Sequence, residues 1–197
     1  MERILLFIKH HLGALWKVID WGNGMLFRFF YGSKMRSVAS AVMDGAEAGS
    51  LTCRELQNSD IQSLKELIDS QPADDLTYFS PHAFDLESLK AQLRNPAFLM
   101  MGIFGDQGLI GYFFLRFFAN KKCFVGRLID KDHRGKGIGS IMNTVMYETA
   151  WGIGFRCLST ISRNNAAVMR AHEKNPTMLI LKNLPNDYLL VEFIRRS

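Results

Sequence analysis

Cysteine is scarce: Cys53, Cys123 and Cys157 are the only three, far apart and each in an apolar stretch. None forms a CxxC pair, so neither a metal site nor a disulfide framework is indicated. Buried free thiols in a reducing cytoplasm are the expectation. Long apolar runs are also missing. A bilayer span needs ~20 apolar residues, and Lys9, His10, His11, Lys17 and Asp20 break up the most hydrophobic stretch. That stretch has no clean apolar core leading to a small-residue cleavage site, which makes a secretory signal a poor fit. Acidic side chains are nearly absent from residues 1–43, where only Glu2 and Asp20 stand against Arg3, Lys9, Lys17, Arg28, Lys34 and Arg36. No internal repeat and no low-complexity tract is visible.

The 197 residues suffice for one domain with a full core plus an appendage, and 48% hydrophobic content argues against disorder. A formal charge of +5 suits an anionic partner: a nucleotide cofactor, nucleic acid or an acidic membrane surface. Nucleic acid fits worst, since the basic residues do not interleave with aromatics on an exposed strand. Composition divides the chain into a basic amphipathic helical extension over 1–43, a small-residue linker over 44–50, and a domain over 51–197. In the extension Ile4, Ile8, His11, Leu12, Leu15 and Ile19 share a helical face, Gly22 and Gly24 should end that helix, and Met25 to Tyr31 adds a second apolar burst. Two readings fit. Either the stripe packs on the domain or a second subunit, giving a homodimer, or the helix lies in a membrane surface with Trp16, Trp21, Phe27, Phe29 and Phe30 in lipid.

Beyond the linker the patterning predicts strands and helices in alternation. Leu51 to Leu56 reads as a strand, Asn58, Ser59 and Asp60 as caps of a helix to Ile68, and Gln71 to Pro81 as a loop. Asp85 caps a second helix that stops at Asn95-Pro96. Strands follow at 98–104, 109–118 and 123–129, the first two joined by a Gly105 to Gly108 hairpin. A glycine loop, a helix to about Trp151, a strand from Arg156 to Ile161, a helix from about Asn164 to Lys174 and closing strands at 178–181 and 188–194 complete the chain. The predicted fold class is α/β: one domain with a mixed sheet flanked by helices, carrying an N-terminal amphipathic helical extension.

The stretch that carries chemistry is Asp130-Lys131-Asp132-His133-Arg134-Gly135-Lys136-Gly137-Ile138-Gly139, between an apolar strand and an apolar helix. Such a turn exposes several backbone N–H groups at a helix N-terminus, where the dipole adds positive charge. Glycines let an anion approach the backbone and Arg134 and Lys136 add charge, so the physics points to a diphosphate. The spacing is neither the dinucleotide fingerprint nor a Walker loop.

Here the sequence resembles a family. Arg134-x-x-Gly137-x-Gly139 matches the R/Q-x-x-G-x-G/A motif of the GNAT N-acetyltransferases, and Asn165 through His172-Glu173-Lys174 resembles their N-x-x-(A/S)-x-x-x-(Y/H)-E-K helix. The resemblance covers roughly residues 51–194. It implies a mixed sheet whose fourth and fifth strands splay around the pantetheine arm of acetyl-CoA. Leu128 and Ile129 would bond that arm through their backbone. The amides of Arg134, Gly135, Lys136, Gly137, Ile138, Gly139 and Ser140 would hold the pyrophosphate, and Asn165 would contact the pantetheine end. A fourth-strand N–H would polarise the carbonyl, and His172, with an imidazole near its ordinary pKa of ~6.5, would protonate the departing thiolate.

The departures are informative. After Glu173-Lys174 the family's hydrophobic-Gly-Phe turn is replaced by Asn175-Pro176-Thr177-Met178, and the fourth strand offers no carboxylate base, so a base acting through water is implied. Asp130 and Asp132 read as solvated surface acids, and His133 as structural. On the acceptor side the loop from Asp74 to Phe84 is aromatic, and Phe79 and His82 are the substrate candidates, with Phe79 and Phe84 as core plugs the competing interpretation. The resulting expectation is acetylation of a primary amine, with an amino sugar of bacterial surface-polysaccharide synthesis preferred. A peptide or protein acceptor, or a non-catalytic acyl-CoA-binding module, are the alternatives. The expected location is cytoplasmic, with peripheral contact at the inner face of the membrane through 1–43.

Overall fold

The computed structural model describes residues 13–46, 50–79, 81–173, 175 and 177–195, with side chains of all of these except 13–17 and 173. Helix α1 spans Gly13–Asp44, β1 Thr52–Glu55, α2 Ile61–Asp69, α3 Ala73–Thr77, α4 Leu86–Leu93, β2 Phe98–Gly105 and β3 Gly108–Phe118. They are followed by β4 Lys122–Ile129, α5 Ile138–Gly152, β5 Arg156–Ser162, α6 Ala166–Glu173, β6 Met178–Asn183 and β7 Tyr188–Phe193. The seven strands form one sheet in the order β1-β2-β3-β4-β5-β7-β6, antiparallel except for the parallel pair β4–β5. This is the mixed α/β sheet the sequence predicts.

The central strands read as unbroken apolar runs because both faces are covered. Phe98, Met100, Tyr112, Phe114 and Leu128 turn to one face, under α2 and α4, with Ile61, Leu64, Leu67, Ile68 and Leu89 against them. Leu99, Met101, Ile103, Phe113, Leu115 and Phe117 turn to the other, where α1 and α5 contribute Phe27, Met35, Met142, Val145 and Met146. A one-residue slip would exchange these sets, so the register is set by the core on each side. Cys53, Cys123 and Cys157 are all buried free thiols.

Two elements differ from expectation. Gly22 and Gly24 do not end the first helix, which continues to Asp44. Gly24 is instead a contact residue: a Cβ there would stand 3.1 Å from Asn95 Oδ1 and 3.3 Å from Pro96 Cδ. Around it Asp20 accepts hydrogen bonds from Arg116 (2.8 Å) and Asn95 (2.9 Å), and Asn23 bridges Phe117 O and the Ala119 amide, each at 2.9 Å. Tertiary contact thus overrides glycine's cost in a helix. Phe27, assigned to lipid in the membrane interpretation, is 0% exposed and stacks on Phe117 with centroids 4.6 Å apart. The second difference is α3, a five-residue helix inside the expected loop. Ile4, Ile8, His11, Leu12, the side chains of Leu15 and Trp16, and linker residues 47–49 lie outside the description.

Candidate functional site

The opening in the sheet follows from how β4 and β5 pair. Their parallel register holds only from Lys122↔Arg156 to Phe124↔Leu158, although both strands continue. At the fork Ser159 Oγ donates to Val125 O (3.0 Å), a side chain taking the place of the ladder. Beyond it β4 remains paired with β3 on its other edge as far as Gly111↔Ile129. Asp130 N donates to Ile110 O (3.0 Å), so the antiparallel alternation makes Tyr112–Leu128 and Phe114–Gly126 the hydrogen-bonded pairs. The backbone polar groups of Arg127 and Ile129 therefore face the wedge. Leu128, expected to offer its backbone there with Ile129, turns its polar groups to β3 and its side chain into the core; Arg127 takes its place on the open edge.

At the mouth of the wedge the glycine loop opens α5. Gly135 and Gly137 sit at φ +74° and +81°, in the left-handed region that glycine enters at little cost. Gly139 is needed for closeness, since a Cβ there would stand 3.3 Å from both Arg127 Nε and Ile129 Cδ1. The N–H groups of Arg134 through Gly139 have no hydrogen-bond partner among the described residues, whereas Ser140 N is taken by Gly137 O at 2.9 Å. The run of unpartnered N–H groups thus ends one residue earlier than the expected cradle.

The Arg134 side chain braces the loop rather than reaching out of it. It donates to Ile129 O (3.3 Å), Gln71 Oε1 (2.9 Å) and Asp75 Oδ2 (2.9 Å). Asp130 is more than a surface acid: it accepts from the Asp132 amide (2.9 Å), His133 Nδ1 (3.0 Å) and Gln71 Nε2 (3.4 Å). Burial raises its pKa, but these hydrogen bonds outweigh burial and hold the carboxyl below its ordinary value. A carboxylate so committed positions the loop and is a poor proton acceptor. Lys136 is exposed.

Behind the wedge lies a polar cluster of which the sequence showed only a part. Asn165 caps α6, its Oδ1 accepting from Val168 N (3.1 Å). His172, two turns on, is only 5% exposed, with its ring against Phe193. Burial and, second, the Arg127 guanidinium push its pKa down to about 4. The expected near-neutral imidazole is thus overturned, because desolvation and a neighbouring cation both disfavour its charged form.

Its tautomer follows from hydrogen bonds. Asn175 Oδ1 accepts from Thr177 N (3.0 Å) and Thr177 Oγ1 (2.7 Å), which orients the amide. Asn175 Nδ2 therefore faces His172 Nδ1 (3.4 Å), which must accept, and the ring proton belongs on Nε2. Arg127 donates to Asn143 Oδ1 and has no ion-pair partner among the described residues. Tyr147, 6% exposed and stacked on Phe193, has a buried hydroxyl without a hydrogen-bond partner there. The sequence signals for this cluster were the motif residues Asn165 and His172 and the departure at Asn175; Arg127, Asn143 and Tyr147 gave none.

The substrate candidates sit on the α2–α4 side. His82 Nδ1 donates to Ala83 O (2.8 Å), so Nε2 is the acceptor and takes the Tyr112 hydroxyl proton at 3.0 Å. Both nitrogens are occupied, and burial lowers the ring's pKa. Phe79 stacks near Phe84 (6.1 Å) and lies edge-on to Tyr112 (6.2 Å). It also borders the wedge strand, 3.3 Å from where a Gly126 Cβ would stand. The aromatic loop is a wall behind β4, packed rather than projecting.

The family model described as Acetyltransferase (GNAT) family matches residues 61–175, the stretch that contains the wedge, the glycine loop and α6. Among solved structures, the PaiA N-acetyltransferase from Thermoplasma acidophilum in complex with coenzyme A superposes with a TM-score of 0.61 at 19% identity, over 74% of this chain and 99% of that one. The GNAT domain of S. lividans PAT gives 0.64 at 14% identity, over 77% and 92%. AAC(6')-Ib in complex with paromomycin and acetyl-CoA gives 0.56 at 15% identity, over 73% and 92%. At such identities the likeness is one of fold. No curated protein matches the chain.

Proposed function

This chain belongs to the acetyltransferase (GNAT) family, and we propose that it acetylates the primary amine of a small molecule, an amino sugar of bacterial surface-polysaccharide synthesis being the preferred class. The observation that carries acetyl transfer is the open β4 edge ending in a loop of unpartnered N–H groups. Both features fit a donor with an amide-bearing arm and a pyrophosphate. Acetyl-CoA, when bound, supplies the acetyl group as a thioester open to attack by an unprotonated amine.

The chain's own residues then have separable tasks. Arg134 through Gly139 hold the pyrophosphate by backbone N–H, while the edge groups of Arg127 and Ile129, with the Asn165 amide, orient the arm. An N–H on that edge polarises the carbonyl. His172 acts as a neutral Nε2–H donor toward the sulfur, with Asn175 holding the tautomer; at neutral pH it carries no second proton to give. With no carboxylate on β4, the acceptor's proton leaves through water. Half-buried Phe79, beside Gly126 and stacked near Phe84, supports a ring-shaped acceptor.

The test is a panel of amino-sugar nucleotides, lipid-linked amino sugars, polyamines and peptides, assayed with the parent protein and with His172→Phe. Turnover of amino sugars, slowed in the variant at unchanged acetyl-CoA binding, is expected. Preference for peptides would replace the acceptor class. No turnover by a parent protein that binds acetyl-CoA would make the fold an acyl-CoA-binding module.

A further inference from the structure

The inner face of α1 is committed to the core, but its outer face is not. Val18, Trp21, Met25, Leu26, Phe29 and Phe30 are 61, 65, 46, 51, 83 and 65% exposed, a continuous apolar stripe on a helix whose opposite face packs into the core. A patch of this density on a soluble surface marks an interaction site. Its rim is cationic. Arg28 lies among Met25, Leu26, Phe29 and Phe30, and on its other side it lines, with Arg36 and Arg94, a cavity of about 210 Å³ in which Glu55 is the one carboxylate among the lining residues. None of the three arginines has an ion pair among the described residues, and the one acid in the stripe's own stretch, Asp20, is bonded to Arg116. No described helix is long and apolar enough to cross a membrane.

We propose that the outer face of α1 docks the protein on an anionic bilayer surface, the aromatic stripe entering the headgroup boundary and the arginines meeting lipid phosphates. Charge decides against a second copy. An antiparallel two-fold pairing along the stripe would set each cationic rim against its own image, whereas an anionic bilayer complements both the stripe and the rim. The docking face lies away from the donor site. Phe27, on the opposite side of the same helical segment, stacks on Phe117, which pairs with Cys123 near the start of β4. The glycine loop follows the other end of that strand, so a docked protein keeps its donor site accessible. The proposal is independent of the acceptor assignment.

The experiment is co-sedimentation of the full chain with vesicles of phosphatidylcholine alone and of phosphatidylcholine mixed with phosphatidylglycerol, with light scattering in parallel. Binding to the mixed vesicles only, weakened by salt, is expected. Trp21→Ser with Phe29→Ser should lower it at least about tenfold, and Arg28→Ser or Arg94→Ser about fivefold each. Acetyl-CoA binding should stay unchanged in all of them, which separates this result from failure of the donor site. Phe29→Ser alone serves if the double variant does not fold. Equal affinity for neutral vesicles, no vesicle binding by folded protein, or a dimer that the Trp21 and Phe29 changes dissolve would each overturn the proposal.

Discussion

Acid should weaken this fold through one buried ring. His172 is held neutral, with its pKa pushed down to about 4 by burial and by Arg127, whereas the unfolded chain offers an ordinary imidazole at ~6.5. Between those values the unfolded chain binds a proton that the folded chain does not, so stability rises with pH across the window. The contribution is fully present above ~6.5 and is lost as the pH falls through the folded value of about 4. One pKa unit corresponds to ~1.36 kcal/mol, so the loss amounts to roughly 3 kcal/mol. That is a large share of the 5–15 kcal/mol typical of a domain. His172→Gln removes the titration and leaves His82 and the carboxylates in place, so their effects cancel in the difference between the two proteins. Urea unfolding of both from neutral pH to pH 4 should show the parent losing roughly 3 kcal/mol more than the variant. Parallel pH profiles, or an NMR titration placing the ring near 6.5, would refute the buried neutral imidazole. They would also restore His172 as a proton donor to the thiolate.

Other consequences follow from the same contacts. Asn175→Ala leaves His172 Nδ1 without its donor; ring ¹⁵N shifts should show mixed tautomers, and kcat should fall about tenfold at unchanged acetyl-CoA KM. A merely structural role would leave the tautomer alone. Arg127→Met removes the cation beside the ring, so the pKa of His172 should rise toward its ordinary value by NMR. Phe27→Ala should cost about 3–5 kcal/mol in chemical denaturation, as expected of a core residue; a change near zero would mean that α1 is only loosely attached.

Much of the sheet was legible in the sequence. Strands β2 and β3 are apolar on both faces, and the hairpin glycines bound them, so their limits emerge within a residue. The glycine loop was legible for a local reason: its spacing, its charges and the helix after it all lie in ten consecutive residues. The helix-breaking of Gly22 and Gly24 was misjudged because the contacts that hold α1 around them, at Asp20, Asn23 and Gly24, come from Asn95, Arg116, Phe117 and Ala119, far away in sequence. Which backbone faces the wedge depends on register with β3, and one residue of parity exchanges Leu128 for Arg127. The state of His172 was hidden for a similar reason. Its burial involves Phe193, its charge neighbour is on β4, and its tautomer depends on an asparagine amide oriented by Thr177.

The most direct test of the central claim is calorimetric titration of acetyl-CoA into the parent protein, Gly137→Ala and Gly137→Glu. The alanine variant measures the strain of a side chain at φ +81°, and the glutamate variant adds a negative charge beside the unpartnered N–H groups. The account predicts micromolar binding by the parent, modest weakening in the alanine variant and loss in the glutamate variant. Absence of binding by folded parent protein, or equal binding by Gly137→Glu, would contradict it: the wedge and its glycine loop would then not be the donor site.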